Sequence, residues 1–281
     1  MAVFFNALTI DVEDWYHVCG VERKQSIPRN SWRVFAATER ILKLLNEFNV
    51  KSTFFVLGSL AAAEPELVKL IAAEGHEVAS HGWSHELVHQ LTPDQFRAEL
   101  AQTEDVIQAQ AGYLPVGFRA PQWSVSARTP WVHDVLVERG YRYDSSLSPL
   151  PFIGDRKGLR VPYRLGSTGG ELCEFPPLVT PTWLGNLPTG GGWGFRFFPT
   201  ALVESSVGRL NASGNPAVLY LHPRDVDPDG PRLSLPLLKR FAAYGTRNDA
   251  LPRIRRLLEG FRFTTLKELI ADDLLHSYPI V

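Results

Sequence analysis

An α/β barrel is the fold class that the sequence predicts, and three observations predict it. Short apolar runs that read as buried strands alternate with amphipathic helical stretches over most of the 281 residues. The connections between them are short, which calls for parallel strands covered by helices. About seven such units occur in one chain, which favours a barrel, incomplete or distorted, over an open doubly wound sheet.

The elements follow in order. An apolar run (Val3, Phe4, Phe5, Ala7, Leu8, Ile10) reads as the first strand. Residues 32–48 place Phe35, Ile41, Leu42, Leu45 and Phe48 at helical spacing, and STFFVLG (52–58) is a second buried strand. A helix starts on Pro65 and stops at Gly75, ahead of the strand HEVASH (76–81). The pattern repeats with a helix over 93–110, a strand near 116–119, a helix over 130–139 and the strand YRYDSS (141–146). Later come PAVLYLH (216–222) as a strand, a helix over 247–259, FRFTTL (261–266) as a strand, and a final helix. Gly75, Gly140 and Gly260 fall where a helix must turn into a strand, a place suited to positive φ. Residues 147–200 break the pattern with Pro, Gly and aromatic residues. Their aromatic content argues against disorder and predicts an ordered loop insertion over one end of the barrel, within a single domain over 1–281. TGGGWG lacks the Lys-Ser/Thr and the following helix of a phosphate loop.

Composition excludes several functions. At 44% hydrophobic and 21% charged, the chain has ample material for a core. A formal charge of −1 argues against a nucleic-acid surface; Arg253, Arg255 and Arg256 read as a solvated helix face. No run approaches the ~18 apolar residues of a membrane span, and the N-terminus lacks a basic secretory leader, so a cytoplasmic location is expected. Cys19 and Cys173 form neither a metal-type spacing nor a disulfide framework. Oligomeric state is not encoded in any of these features.

The polar residues carry the chemistry. Asp11, His81, Arg119, Asp144, Glu174 and His222 each end a predicted strand, and in a parallel barrel those ends meet at one face, where active sites lie. Asp11, Glu13 and Asp14 crowd one strand end and need a cation, an arginine or water to neutralise them. SHGWSHELVH supplies His81 and His85 four apart, so a helical turn would aim both imidazoles at one ion. An aspartate with two histidines, water filling the open positions, suits zinc or a related divalent ion.

These motifs have a recognisable order. TIDVED, STFFVLG, GHEVASHGWSH, GFRAPQWS, GYRYDSSLSP, EFPP, GGGWGFRFFP and YLHPRD together resemble the polysaccharide deacetylases with a NodB-type homology domain (carbohydrate esterase family four). The likeness is closest to the branch of bacterial exopolysaccharide gene clusters, itself similar to peptidoglycan deacetylase and allantoinase-like amidohydrolases. The resemblance implies a distorted (β/α)7 barrel and metal-dependent, most simply Zn2+-dependent, removal of N-acetyl groups from an amino-sugar glycan. It implies Asp11 as general base, Arg119 as its partner, His222 as general acid with Asp144 or, second, Glu174 beside it, and the Gln122 backbone N–H as an oxyanion donor. Trp123, Trp183, Trp193 and Phe195 are candidates to stack on sugar faces. One departure is the first motif, where adjacent aspartates are usual and this chain has Asp11-Val12-Glu13-Asp14. Asp14 is the preferred metal ligand with His81 and His85, and Glu13 the alternative. An allantoinase-like amidohydrolase acting on a small amide is the second functional reading, and an inactive glycan-binding module the third.

Overall fold

The structure, a computed structural model, describes residues 4–18, 27–150, 153–155, 157–245, 249–271 and 278–281. Its strands are β1 (Phe5–Val12), β2 (Thr53–Val56), β3 (Glu77–Ser80), β4 (Gly117–Phe118), β5 (Tyr143–Asp144), β6 (Tyr163–Ser167), β7 (Gly170–Glu174), β8 (Thr180–Thr182), β9 (Gly185–Leu187), β10 (Val218–Leu221) and β11 (Arg262–Thr264). Its helices are α1 (Val34–Glu47), α2 (Gly58–Ala63), α3 (Pro65–Ala73), α4 (Pro93–Ala111), α5 (Trp131–Glu138), α6 (Gly192–Phe197), α7 (Thr200–Ala212), α8 (Leu237–Tyr244), α9 (Leu251–Gly260) and α10 (Leu266–Ala271).

One curled sheet runs in the order β10-β1-β2-β3-β4-β5-β7-β6, and β11 also pairs with β1. Every pairing is parallel except β6 with β7. Loop backbone takes the outer edge of β10, where Leu178 N–H donates to the Val218 carbonyl and Tyr220 N–H to the Gly190 carbonyl, both at 2.8 Å. The barrel expectation therefore holds, as a curled and incomplete barrel.

The helices form for the expected local reasons. Pro65 opens α3, and α4 carries a reciprocal cap between Thr92 and Gln95 before stopping at Gly112 with φ 82°. Gly75 and Gly140 adopt φ of 78° and 84° as the turns require, whereas Gly260 ends α9 without positive φ. The segment 147–200 is more regular than predicted: it contains the β6–β7 and β8–β9 hairpins and α6. Its glycines serve packing, since a Cβ on Gly191 would stand 2.3 Å from the Tyr220 ring. Arg255 and Arg256 form surface ion pairs with Glu47 and Glu204. Arg253 instead donates to the carbonyls of Phe195 and Phe198 at the end of α6. Cys173 is a buried free thiol, and Cys19 lies outside the described residues.

Strand alternation sorts the core into two layers. Leu8, Ile10, Phe54, Val56, Val78, Leu219 and Leu221 face outward and pack under the helices in the largest apolar cluster. Ala7, Phe55, Ala79, Tyr143, Cys173 and Val218 face the lumen, which α10 plugs from below with Leu266, Leu269 and Ile270. Where the plug meets the lumen, Glu77 accepts from Thr53 at 2.7 Å, from Tyr143 at 2.9 Å and from the Lys267 N–H of α10 at 3.0 Å, so its carboxyl is satisfied there.

Candidate active site

The lumen-facing series on β1 continues past Thr9 to Asp11 and Glu13. On neighbouring strands it brings His81, Arg119, Ser145 and His222 to the same end. Register fixes their level, because Asp11 pairs with Phe55, Ser80 with Phe118, and Ile10 with Leu221. The strands thus deliver one carboxylate pair, one guanidinium and two imidazoles to the top of the barrel.

Arg119 is fully buried and has every arm used. Its Nη1 donates to Asp11 Oδ1 at 2.7 Å and to Thr9 at 2.8 Å, its Nη2 to Ser145 Oγ at 2.8 Å, and its Nε to the Ser145 carbonyl at 3.1 Å. The guanidinium also lies 4.2 Å from the Phe55 ring centroid and 4.9 Å from that of Trp123. A buried charge held in this way is rigid, and so is the Asp11 carboxylate bonded to it.

Glu13 faces the two histidines. Its Oε1 lies 3.2 Å from His81 Nε2 and 2.9 Å from His85 Nε2, while its Oε2 accepts from Arg224 at 2.8 Å. Burial alone would push this carboxyl upward, but the charges of His85 and His222 and the hydrogen bonds of His81 and His85 hold it well below the usual carboxylate range. The loop, not a helix, makes the histidines converge: His85 takes a left-handed φ of 66°, following Gly82 at 75°. The expected helical turn over 81–85 is therefore replaced by a strained loop.

The carboxylate preference reverses. Asp14 accepts from the backbone N–H groups of Trp15, Arg33 and Val34, so its side chain closes the start of α1 and turns away from the imidazoles. Glu13, His81 and His85 are instead the group whose donor atoms all lie within 4.8 Å of one another. The donor chemistry of this trio fits a cation. His81 Nδ1 sits 2.7 Å from the Arg119 carbonyl, an acceptor only, so Nδ1 carries a proton and the opposite nitrogen, Nε2, is the one that faces Glu13. Burial would lower this imidazole, but the Glu13 hydrogen bond and then the charge of Asp11 raise it. A divalent ion would take the place of the proton shared between Nε2 and Glu13, and ligand spacing of this order suits an ion about 2 Å from each atom.

His222 is positioned by a partner other than the ones expected. Its Nδ1 lies 3.2 Å from Asp225 Oδ2, which also accepts from the His222 backbone N–H at 2.9 Å. Among the described residues the other carboxylate oxygen near the ring is Glu13 Oε2, 4.0 Å from Nε2. Burial would raise Asp225, but the Arg196 guanidinium, then His222, hold it far below the usual carboxylate range.

Asp144 and Glu174 lie elsewhere for a reason of parity. Tyr143 and Ser145 point into the lumen, so Asp144 between them points out, beneath α5 and 3.6 Å from His133. It accepts from Ser145 N–H at 2.8 Å and from the Ser146 hydroxyl. Glu174 pairs with Asp144 across the β5–β7 register and accepts from Leu147 N–H at 2.9 Å. Burial and then the charge of Asp144 push Glu174 well above the usual carboxylate range. Neither residue reaches His222.

The remaining expectations divide. Gln122 and Trp123 take successive left-handed φ of 54° and 56° directly after the Arg119-Ala-Pro turn, at the rim beside Arg119 and Tyr220. Trp193 of α6 packs with Phe198, just past that helix, and with Phe241 of α8, and Trp183, 92% exposed, projects from the β8–β9 turn. Arg196, Arg224 and Asp225 went unassigned in the sequence. The YLHPRD run contains two of them, and their charge directly after a strand end was the available signal.

Two family profiles match the chain: polysaccharide deacetylase over residues 33–143, and a domain of unknown function (DUF3473) over residues 145–271. A peptidoglycan-N-acetylglucosamine deacetylase of Bacillus cereus is 40% identical over 84 residues, 30% of each chain. A peptidoglycan deacetylase of Helicobacter pylori is 31% identical over 128 residues, covering 46% of this chain and 43% of its own. The matches thus span less than half the length of these relatives. A crystal structure from Mycobacterium smegmatis described as a polysaccharide deacetylase superposes with a TM-score of 0.60 at 26% identity, covering 86% of this chain and 77% of that one.

Proposed function

The chain carries a polysaccharide deacetylase domain of the NodB type, carbohydrate esterase family four, and from that premise we propose that it hydrolyses the N-acetyl groups of amino sugars in a bacterial glycan of exopolysaccharide or peptidoglycan type. The observation that carries the proposal is one cluster: Glu13 turned onto His81 and His85, with Asp11 held by Arg119 and His222 held by Asp225 around the same lumen mouth. Glu13, His81 and His85 would hold the divalent ion, with zinc the ion that this nitrogen-and-carboxylate set suits best. Bound there, the ion supplies Lewis acidity toward an acetyl carbonyl and an attacking water.

The chain's own residues do the rest. Asp11 takes the proton of the attacking water, and the Arg119 hydrogen bond keeps its carboxylate aimed. Arg224 fixes Glu13 through its second oxygen, leaving Oε1 for the histidines. His222 delivers a proton to the departing sugar nitrogen, and Asp225 holds the imidazole at Nδ1 so that Nε2 faces the lumen. Gln122, at the rim with a left-handed φ of 54°, would turn its backbone N–H toward the charge developing on the acetyl oxygen, while the Trp123 N–H donates to the Ala120 carbonyl at 3.2 Å. The overall change is addition of water to an acetamide, giving acetate and a free amine. No helix among the described residues is long and apolar enough to cross a membrane. The test is incubation with N-acetylglucosamine oligomers and peptidoglycan fragments: equal release of acetate and amine, abolished by a chelator, supports the reading. Release of neither from any N-acetylated glycan contradicts it.

A further inference from the structure

One face of the molecule combines exposed apolar side chains with basic charge. Leu237 and Leu238 of α8 are 83% and 86% exposed, and Phe241 and Phe197 are 44% and 48% exposed. The spacing i, i+1, i+4 puts Leu237, Leu238 and Phe241 on one side of α8. Phe241 extends that side onto α6, its ring 6.1 Å from Trp193 and 5.9 Å from Phe197. Only Ala243 and Tyr244 of α8 are buried, so the helix stands out from the protein on its last turn. Arg232, Lys239 and Arg240 of this stretch are exposed, and the sequence over residues 231–245 contains no acidic residue.

We propose that this face docks the protein onto an anionic lipid bilayer. Leucines more than four-fifths exposed project outward and do not line a cleft, so they suit insertion below lipid headgroups more than the recess a protein helix would need. A second copy packed face to face would oppose the same lysine and arginines, whereas phosphate headgroups neutralise them. The surface is apolar where it projects and basic around that projection, the pattern of a helix lying in a bilayer interface. Its other helix, α6, sends Arg196 inward to Asp225, so the docked face backs the wall of the His222 site. The proposal stands on exposure and charge and is independent of the deacetylase reading.

Co-sedimentation of the full chain with phosphatidylcholine vesicles, with and without phosphatidylglycerol, tests it. The protein is expected to pellet with the anionic vesicles and to be released by salt. The pairs Leu237→Ser with Leu238→Ser, and Lys239→Glu with Arg240→Glu, should each weaken partitioning about tenfold or more. Because all four positions are exposed, both pairs should retain the wild-type thermal midpoint and metal content. Absence of binding to anionic vesicles, or unchanged binding by folded forms of either pair, overturns the proposal. So does a concentration-dependent dimer, seen by analytical ultracentrifugation, that the leucine pair abolishes, since that would assign the face to a second copy.

Discussion

Glu13 and Asp14 are adjacent carboxylates with opposite employment. The sequence shows three acids at a strand end and leaves open which one meets the histidines. The answer depends on where α1 begins, because its first N–H groups claim Asp14. Removing the two charges should therefore have separable consequences. Glu13→Gln should lose divalent-ion affinity by at least about tenfold with little effect on folding. Asp14→Asn should keep the ion, and Asp14→Ala should destabilise the protein by about 1 kcal/mol through the lost helix-start contacts. Isothermal titration with zinc and thermal unfolding read the two effects, and a reversal of this pattern restores Asp14 as the ligand. His222→Ala should lower kcat on acetamides about a hundredfold or more and on an activated ester far less, since a good leaving group needs no proton. Equal losses on amide and ester would leave His222 without the acid role. Residue identities at the strand ends were thus legible, while Asp225 as partner of His222 was not, because the chain doubles back within three residues in a turn that no periodicity announces.

At the scale of elements, strand parity decides which strand-end residues share the site. Asp11, His81, Arg119 and His222 were legible as a constellation because each ends a parallel strand. Asp144 and Glu174 end strands too, but a one-residue step in phase turns them outward, and β5 is too short for its sequence to fix that phase. Their burial has a consequence for pH. Glu174 is raised in the folded state, so it holds its proton at pH values where the unfolded chain has lost it. The native state then binds more protons, and its stability falls as pH rises above the unfolded value of about 4.3 toward the folded one. Glu174→Gln removes this dependence. The stability of Glu174→Gln relative to wild type should therefore increase between pH 5 and pH 8, read by urea unfolding. A difference independent of pH would show that Glu174 is ionised in the folded protein. The segment 147–200 was legible as ordered but not as hairpins, because its Pro and Gly content hides strand alternation that only the β6–β7 register reveals.

Over the whole molecule, two matched segments build one sheet and one site. The segment 33–143 supplies His81, His85 and Arg119, and the segment 145–271 supplies Arg196, His222, Arg224 and Asp225. Asp11 and Glu13 precede both and sit on β1, which pairs with β2 from one segment and β10 and β11 from the other. The central strand therefore carries both acids to the point where the halves meet, and neither half holds a complete set of groups. In the proposed function, a divalent ion held by Glu13, His81 and His85 makes this site a deacetylase. The direct measurement is acetate release from N-acetylglucosamine oligomers by chelated protein titrated with zinc, in the wild type and in Glu13→Gln. No release is expected from the chelated wild type, with recovery complete at a single ion per chain, and neither tight zinc binding nor recovery is expected in Glu13→Gln. Full release from the chelated wild type, or zinc binding and recovery in Glu13→Gln equal to wild type, would contradict the proposed function.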